Sequence, residues 1–88
     1  MKLNGQFTLA KLGAEYMAVP LDNTEKNRIV IKLNESGAEV FQGLIDGQDE
    51  EQLAERLRAK YPELDSETAG QAVAQVINNL FNAGILKQ

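Results

Sequence analysis

The sequence has no cysteine and no histidine. Without cysteine there is no disulfide framework and no thiolate nucleophile. Without histidine the usual general base and the commonest metal ligand are both missing. No apolar run is long enough to span a bilayer, and Met1-Lys2-Leu3-Asn4-Gly5-Gln6 lacks the apolar core of a secretory signal. A cytoplasmic location is the resulting expectation. Basic residues are in deficit: nine Lys and Arg stand against thirteen Asp and Glu, giving a formal net charge of −4 and a pI of about 4.7. That balance disfavours nucleic acid and anionic membrane as partners.

The 88 residues, 43% of them hydrophobic, amount to one domain spanning the whole chain. A domain of this size buries about 60–65% of its unfolded surface, enough for a small core. The N-terminal third carries period-two patterning and the remainder carries period 3.6, with the change falling between Arg28 and Gly37.

Residues 1–6 are polar and expected to be loosely held. Phe7 to Leu12 reads as a first strand and Glu15 to Pro20 as a second, joined through Gly13-Ala14 as a hairpin. Pro20 lacks an N–H and belongs at a strand end or edge. Asp22 to Asn27 is rich in turn formers and reads as a loop. Arg28 to Leu33 is the most regular strand. Ile29, Ile31 and Leu33 share the face expected to meet the core, and Arg28, Val30 and Lys32 share the other. A three-strand meander leaves this third strand at the sheet edge.

Three helices follow. The first runs from about Glu35 to Asp46 with Asn34 as its cap, while Ser36 and Glu39 form a rival capping box. Ala38, Phe41, Leu44 and Ile45 make its buried stripe, with Val40 beside it, and Gly47 is placed to end it. The second runs from about Glu50 to Tyr61, with Asp49 and Gln52 as a capping box and Pro62 as its stop. Leu53, Ala54, Leu57 and Tyr61 are its apolar face. The third runs from about Ser66 to Ala83 behind Asp65. Its stripe is Ala69, Val73, Val76, Ile77 and Leu80, widened by Ala72 and Phe81, and Gly84 ends it with Ile85-Leu86 folding back. The order βββααα is an α+β fold with the layout of a winged helix-turn-helix.

No constellation of reactive groups emerges. The hydroxyls of Thr8, Thr24, Ser36, Ser66 and Thr68 have no histidine to activate them, and both serines are accounted for by helix starts. The carboxylates fit helix N-termini and solvated faces, and none has calcium-loop spacing. Asp65-Ser66 has the form of the modified serine in small acidic acyl carriers. Those carriers are helical throughout, however, and here Glu67 follows where leucine or methionine is usual. A winged-helix DNA-binding regulator is the reading the layout invites, yet Ser66 to Ala83 contains neither lysine nor arginine, and duplex affinity rests largely on neutralising phosphates. An interaction module remains. Arg28 and Lys32 on an edge strand have two readings: protection against edge-to-edge aggregation, or a docking edge for an extended peptide.

Leu33-Asn34-Glu35-Ser36-Gly37-Ala38 after a strand resembles the L-N-x-S/T-G/A-A signature of the PqqD-like family. Leu44-Ile45-Asp46-Gly47, Leu53-Ala54-Glu55-Arg56-Leu57 with Tyr61, and Val76 to Leu80 followed by Ala83-Gly84-Ile85-Leu86 resemble its later motifs in order. Tyr16 to Pro20 resembles its second strand. The resemblance covers nearly all of Phe7 to Leu86. It implies a recognition element for ribosomally made, post-translationally modified peptides. Such a domain is non-catalytic, has no cofactor or metal, binds a precursor's leader and presents it to a tailoring enzyme, often a radical SAM protein. The leader adds beside the third strand, in the cleft toward the third helix. Carried onto this chain, the strand side is Arg28, Ile29, Val30, Ile31, Lys32 and Leu33, and the helix side is Ala72, Val76, Asn79 and Leu80. Arg28 and Lys32 would favour an acidic leader.

Overall fold

The computed structural model describes residues 2–21 and 30–87. The loop expected over Asp22 to Asn27, and Arg28 and Ile29 of the expected third strand, lie outside the described residues. The elements in chain order are β1 (Lys2–Leu3), β2 (Phe7–Leu12), β3 (Glu15–Pro20), β4 (Ile31–Leu33), α1 (Glu35–Ile45), α2 (Glu50–Lys60), α3 (Ser66–Asn82) and β5 (Leu86–Lys87).

The hairpin β2–β3 has the expected bounds. Its register runs from Phe7↔Pro20 to Leu12↔Glu15, and Gly13 turns it at a φ of +64° that a Cβ would strain. The antiparallel sheet has the order β2-β3-β4, so β4 is an edge strand. It pairs with β3 from Tyr16↔Leu33 to Ala18↔Ile31. Pro20 therefore lies past the end of the described pairing, where its missing N–H breaks no β3–β4 bond among the described residues. Ile31 and Leu33 are half-buried and Lys32 is exposed, in line with the alternation.

Helix α1 packs against β2, β3 and β4, and α2 and α3 pack against α1 and against each other. Asn34, Asp49 and Asp65 cap them, accepting from the backbone N–H groups of Gly37, Gln52 and Thr68. The Asp49–Gln52 box is reciprocal. Of the two rival starts for α1, the Asn34 cap is the one formed, and the Ser36 hydroxyl donates to Asn34 Oδ1. Gly47 and Gly84 follow α1 and α3 with positive φ. The shared core includes Phe7, Ala18, Val40, Phe41, Leu53, Leu57, Val73, Ile77 and Leu80. Phe7 meets Phe41 edge-to-face, with ring centroids 5.6 Å apart. Two details depart from the periodicity. Val40 is completely buried, whereas Ile45 is only partly so, because α1 is covered on two sides, by the sheet and by the other helices.

The N-terminal residues correct the expectation of a loose tail. β1 pairs antiparallel with β5, Leu3 opposite Leu86, and Asn4 N–H donates to the Ile85 carbonyl at 2.6 Å. Ile85 and Leu86 are buried. This clasp joins the two ends of the described chain beside the core. Among the described residues no helix is long and apolar enough to cross a membrane.

Candidate functional site

A cleft lies between edge strand β4 and helix α3. It encloses about 400 Å³. Ile31, Lys32 and Leu33 form the strand wall, and Ala72, Gln75, Val76, Asn79, Leu80 and Ala83 form the helix wall. Asn34, Ser36 and Gly37 close the end at the start of α1.

The cleft follows from how α3 divides its surface. Ala69, Val73, Ile77 and Leu80 are buried in the core. Ala72, Val76 and Asn79 stand at i, i+4 and i+7, on a stripe rotated from the core stripe. Ala72 and Val76 are half-buried, with their free sides turned to the cleft. The wall is therefore apolar at its base and neutral-polar at its rim, where Gln75 and Asn79 sit. Gly37 helps keep the corner open: a Cβ there would lie 3.0 Å from Asn34 Oδ1 and 3.4 Å from Leu33 Cδ2. Its N–H donates to Asn34 Oδ1 at 2.8 Å. Among the described residues lining the cleft, Lys32 is the one that carries charge.

Of the residues singled out in the sequence, Ile31, Lys32, Leu33, Ala72, Val76, Asn79 and Leu80 come together here. Val30 lies just before β4 and is 50% exposed, outside the lining. Arg28 and Ile29 are outside the described residues. Gln75 and Ala83 were not foreseen, although each stands four residues from Asn79 and so on its face of the helix. Asn34, Ser36 and Gly37 were read as helix-start residues and as part of the signature, not as part of the site.

A second cleft, of about 370 Å³, adjoins this one at the start of α1. Its lining is Asn34, Glu35, Ser36, Tyr61, Glu63 and Leu64. A third, of about 240 Å³, lies across α1 against the hairpin. There Lys11 stands over the Tyr16 ring, 5.6 Å from its centroid. Beside it, α1 and α2 are laced together: Arg56 Nε–Glu39 Oε1 at 2.6 Å, Arg56–Asp46 at 3.2 Å, Lys60–Glu39 at 3.3 Å and Lys60–Glu35 at 3.5 Å. Burial raises the pKa of the Glu39 carboxyl, but the hydrogen bonds from Arg56 and Lys60 outweigh it and hold it below its ordinary value. Burial first, and the Glu35 carboxylate second, push the Tyr61 phenol up. These charges satisfy one another and serve the α1–α2 contact. Among the described residues no group of acidic side chains is placed to hold a metal ion.

With this geometry in view, three comparisons bear on the chain. No curated protein matches it significantly. Two solved structures share its fold at 20% identity, each aligned over 99% of this chain: TbiB1 in complex with the TbiA(beta) leader peptide, with a TM-score of 0.77 over 95% of that chain, and a lasso peptide synthetase B1 complexed with the leader peptide, with a TM-score of 0.75 over 96% of that chain. The family described as Coenzyme PQQ synthesis protein D (PqqD) matches residues 19–86. That span takes in β4, all three helices and both walls of the cleft, and the chain belongs to the PqqD family.

Proposed function

We propose that this protein is a non-catalytic peptide-binding module, one recognition domain over its whole length, built on a winged helix-turn-helix plan. It binds the leader of a ribosomally made precursor peptide and presents it to a tailoring enzyme, such as a radical SAM protein. The leader adds to β4 as a further strand and lies in the cleft against α3. The observation that carries this reading is the pairing of an edge strand with an adjacent apolar-based cleft. The edge supplies main-chain hydrogen bonds, and the cleft receives alternate side chains of the added strand. Membership of the PqqD family and the leader-bound state of both structural neighbours support it.

The side chains refine the ligand. A strand added beside β4 projects every second residue toward Ala72, Val76 and Leu80, so those residues are apolar. Its intervening residues share the outer face with Lys32, which favours aspartate or glutamate there. Proline tests the edge. Val30 and Ile31 direct their N–H groups oppositely, so Val30→Pro and Ile31→Pro remove one edge-directed donor between them. Val30 precedes the β3–β4 pairing, which protects the fold in that variant. One of the two is expected to abolish binding of the leader by fluorescence anisotropy while keeping the far-UV circular dichroism of the parent. Unchanged affinity in both folded variants would refute the site.

A further inference from the structure

We propose that the groove continues into a second subsite, the cleft between the start of α1 and the α2–α3 connection, which takes an apolar side chain and an adjoining lysine or arginine of the same peptide. The proposal rests on the leader-binding reading of the β4 edge. Its first support is continuity. The two clefts share Asn34 and Ser36, the residues at which the chain leaves β4 and turns into α1. A strand added beside β4 has no reason to turn there. Continuing extended at about 3.3 Å per residue, it passes from Leu33 over Asn34 and Ser36 into the second cleft.

The second support is construction. The wall formed by Tyr61 and Leu64 is a fixed turn. Tyr61 N–H donates to the Leu57 carbonyl at 2.8 Å and Leu64 N–H to the Tyr61 carbonyl at 3.0 Å. Arg58 ties the turn to the next helix, donating to the Leu64 carbonyl at 3.2 Å and to the Ser66 hydroxyl at 3.1 Å. Tyr61 and Leu64 are both half-buried, an aromatic and an aliphatic surface of the kind that receives one apolar side chain.

The third support is charge. The rim carries two carboxylates, Glu35 and Glu63. Glu35 has Lys60 at 3.5 Å, and Glu63 has no ion-pair partner among the described residues. The α1 N-terminus opposes a cation with about half a positive charge, but the Asn34 cap already occupies part of it. With Glu35 offset by Lys60, the Glu63 carboxylate is the rim charge that outweighs this half charge and favours a cation. The signs along the surface thus reverse, positive at Lys32 and negative at Glu63. A bound peptide carries the complementary order, an acid beside β4 and a base beyond it, which also fixes the direction in which it lies.

Selection of phage-displayed random peptides on the full chain tests this. The expected consensus has an alternating apolar segment with an acid, followed on one side by an apolar residue next to Lys or Arg. The double variant Glu63→Lys with Leu64→Ser is expected to weaken a selected peptide roughly tenfold and, on reselection, to replace the base by an acid. Glu63→Lys alone, at an exposed position, gives the same charge swap should the double variant fold poorly. Peptides that lose binding in the β4 proline variants but show no basic preference, and no change in these variants, would overturn the subsite and leave the groove reading intact. Peptides indifferent to the β4 prolines would overturn both.

Discussion

Alanine at Gly43 probes how closely α1 and α2 approach. A Cβ at that position would overlap Leu53 Cδ2 and lie 2.8 Å from Gln48 Oε1 and 3.4 Å from Arg56 Cδ. The Arg56 distance is near ordinary contact and Gln48 Oε1 is the end of a flexible side chain, but Leu53 is completely buried and has no room to shift. Gly70, in α3, has open space where a Cβ would go. Both glycines are helical, so both alanine variants gain the same helix propensity, roughly 0.8–1.0 kcal/mol. Gly43→Ala alone adds overpacking, about 1–3 kcal/mol. Gly70→Ala is therefore expected to be more stable than the parent by about 1 kcal/mol, and Gly43→Ala less stable than Gly70→Ala by about 1–3 kcal/mol. In a chain of this length each kcal/mol moves the melting temperature by about 4–8 °C. Urea denaturation with a common slope gives the comparison free of extrapolation. Equal midpoints for the two variants would refute the close helix approach inferred at Gly43.

Two further expectations concern stability. Because Arg56 and Lys60 hold the Glu39 carboxyl below its ordinary 4.5, the unfolded chain takes up the proton first as pH falls. The stabilisation is complete above about pH 4.5 and is lost as pH drops through the lowered folded value. Glu39→Gln is accordingly expected to be less stable than the parent at pH 7, with the gap closing on acidification. A gap that persists at pH 2 would contradict the ion-pair assignment. Asp49→Ala removes a cap that accepts from Gln52 N–H at 2.9 Å, with Gln52 returning a 3.0 Å bond to Asp49 N–H. Thermal unfolding should show a loss of about 1 kcal/mol, and no change would mean that the box is not formed in solution.

Local signals were the legible ones. Asn34, Asp49 and Asp65 mark the helix starts because a short acceptor side chain before an apolar stripe has one efficient use. Gly13, Gly47 and Gly84 mark the reversals because the backbone there has positive φ. The β4 edge followed from strand order, and its facing helix stripe could be placed to within one turn through the resemblance. Contacts between distant residues were not legible. Lys2-Leu3 and Leu86-Lys87 are too short to show a period, and their pairing spans nearly the whole chain, so the clasp at the termini left no pattern to read. The reason for Gly43 lies in Leu53, on another helix. The Tyr61–Leu64 cleft exists because the α2–α3 turn comes to rest beside the start of α1, which neither segment encodes alone.

Amide hydrogen exchange with a selected peptide bound tests the central claim most directly. Among the described residues, the edge-directed amides between Val30 and Leu33 have no partner strand on that side, and a peptide would supply one. Strand addition predicts new protection there, accompanied by shifts of the Ala72, Val76, Asn79 and Leu80 resonances on α3 and unchanged exchange along β2, the other edge of the sheet. Protection confined to Phe7–Leu12, with the β4 amides exchanging as in the free protein, would contradict the account.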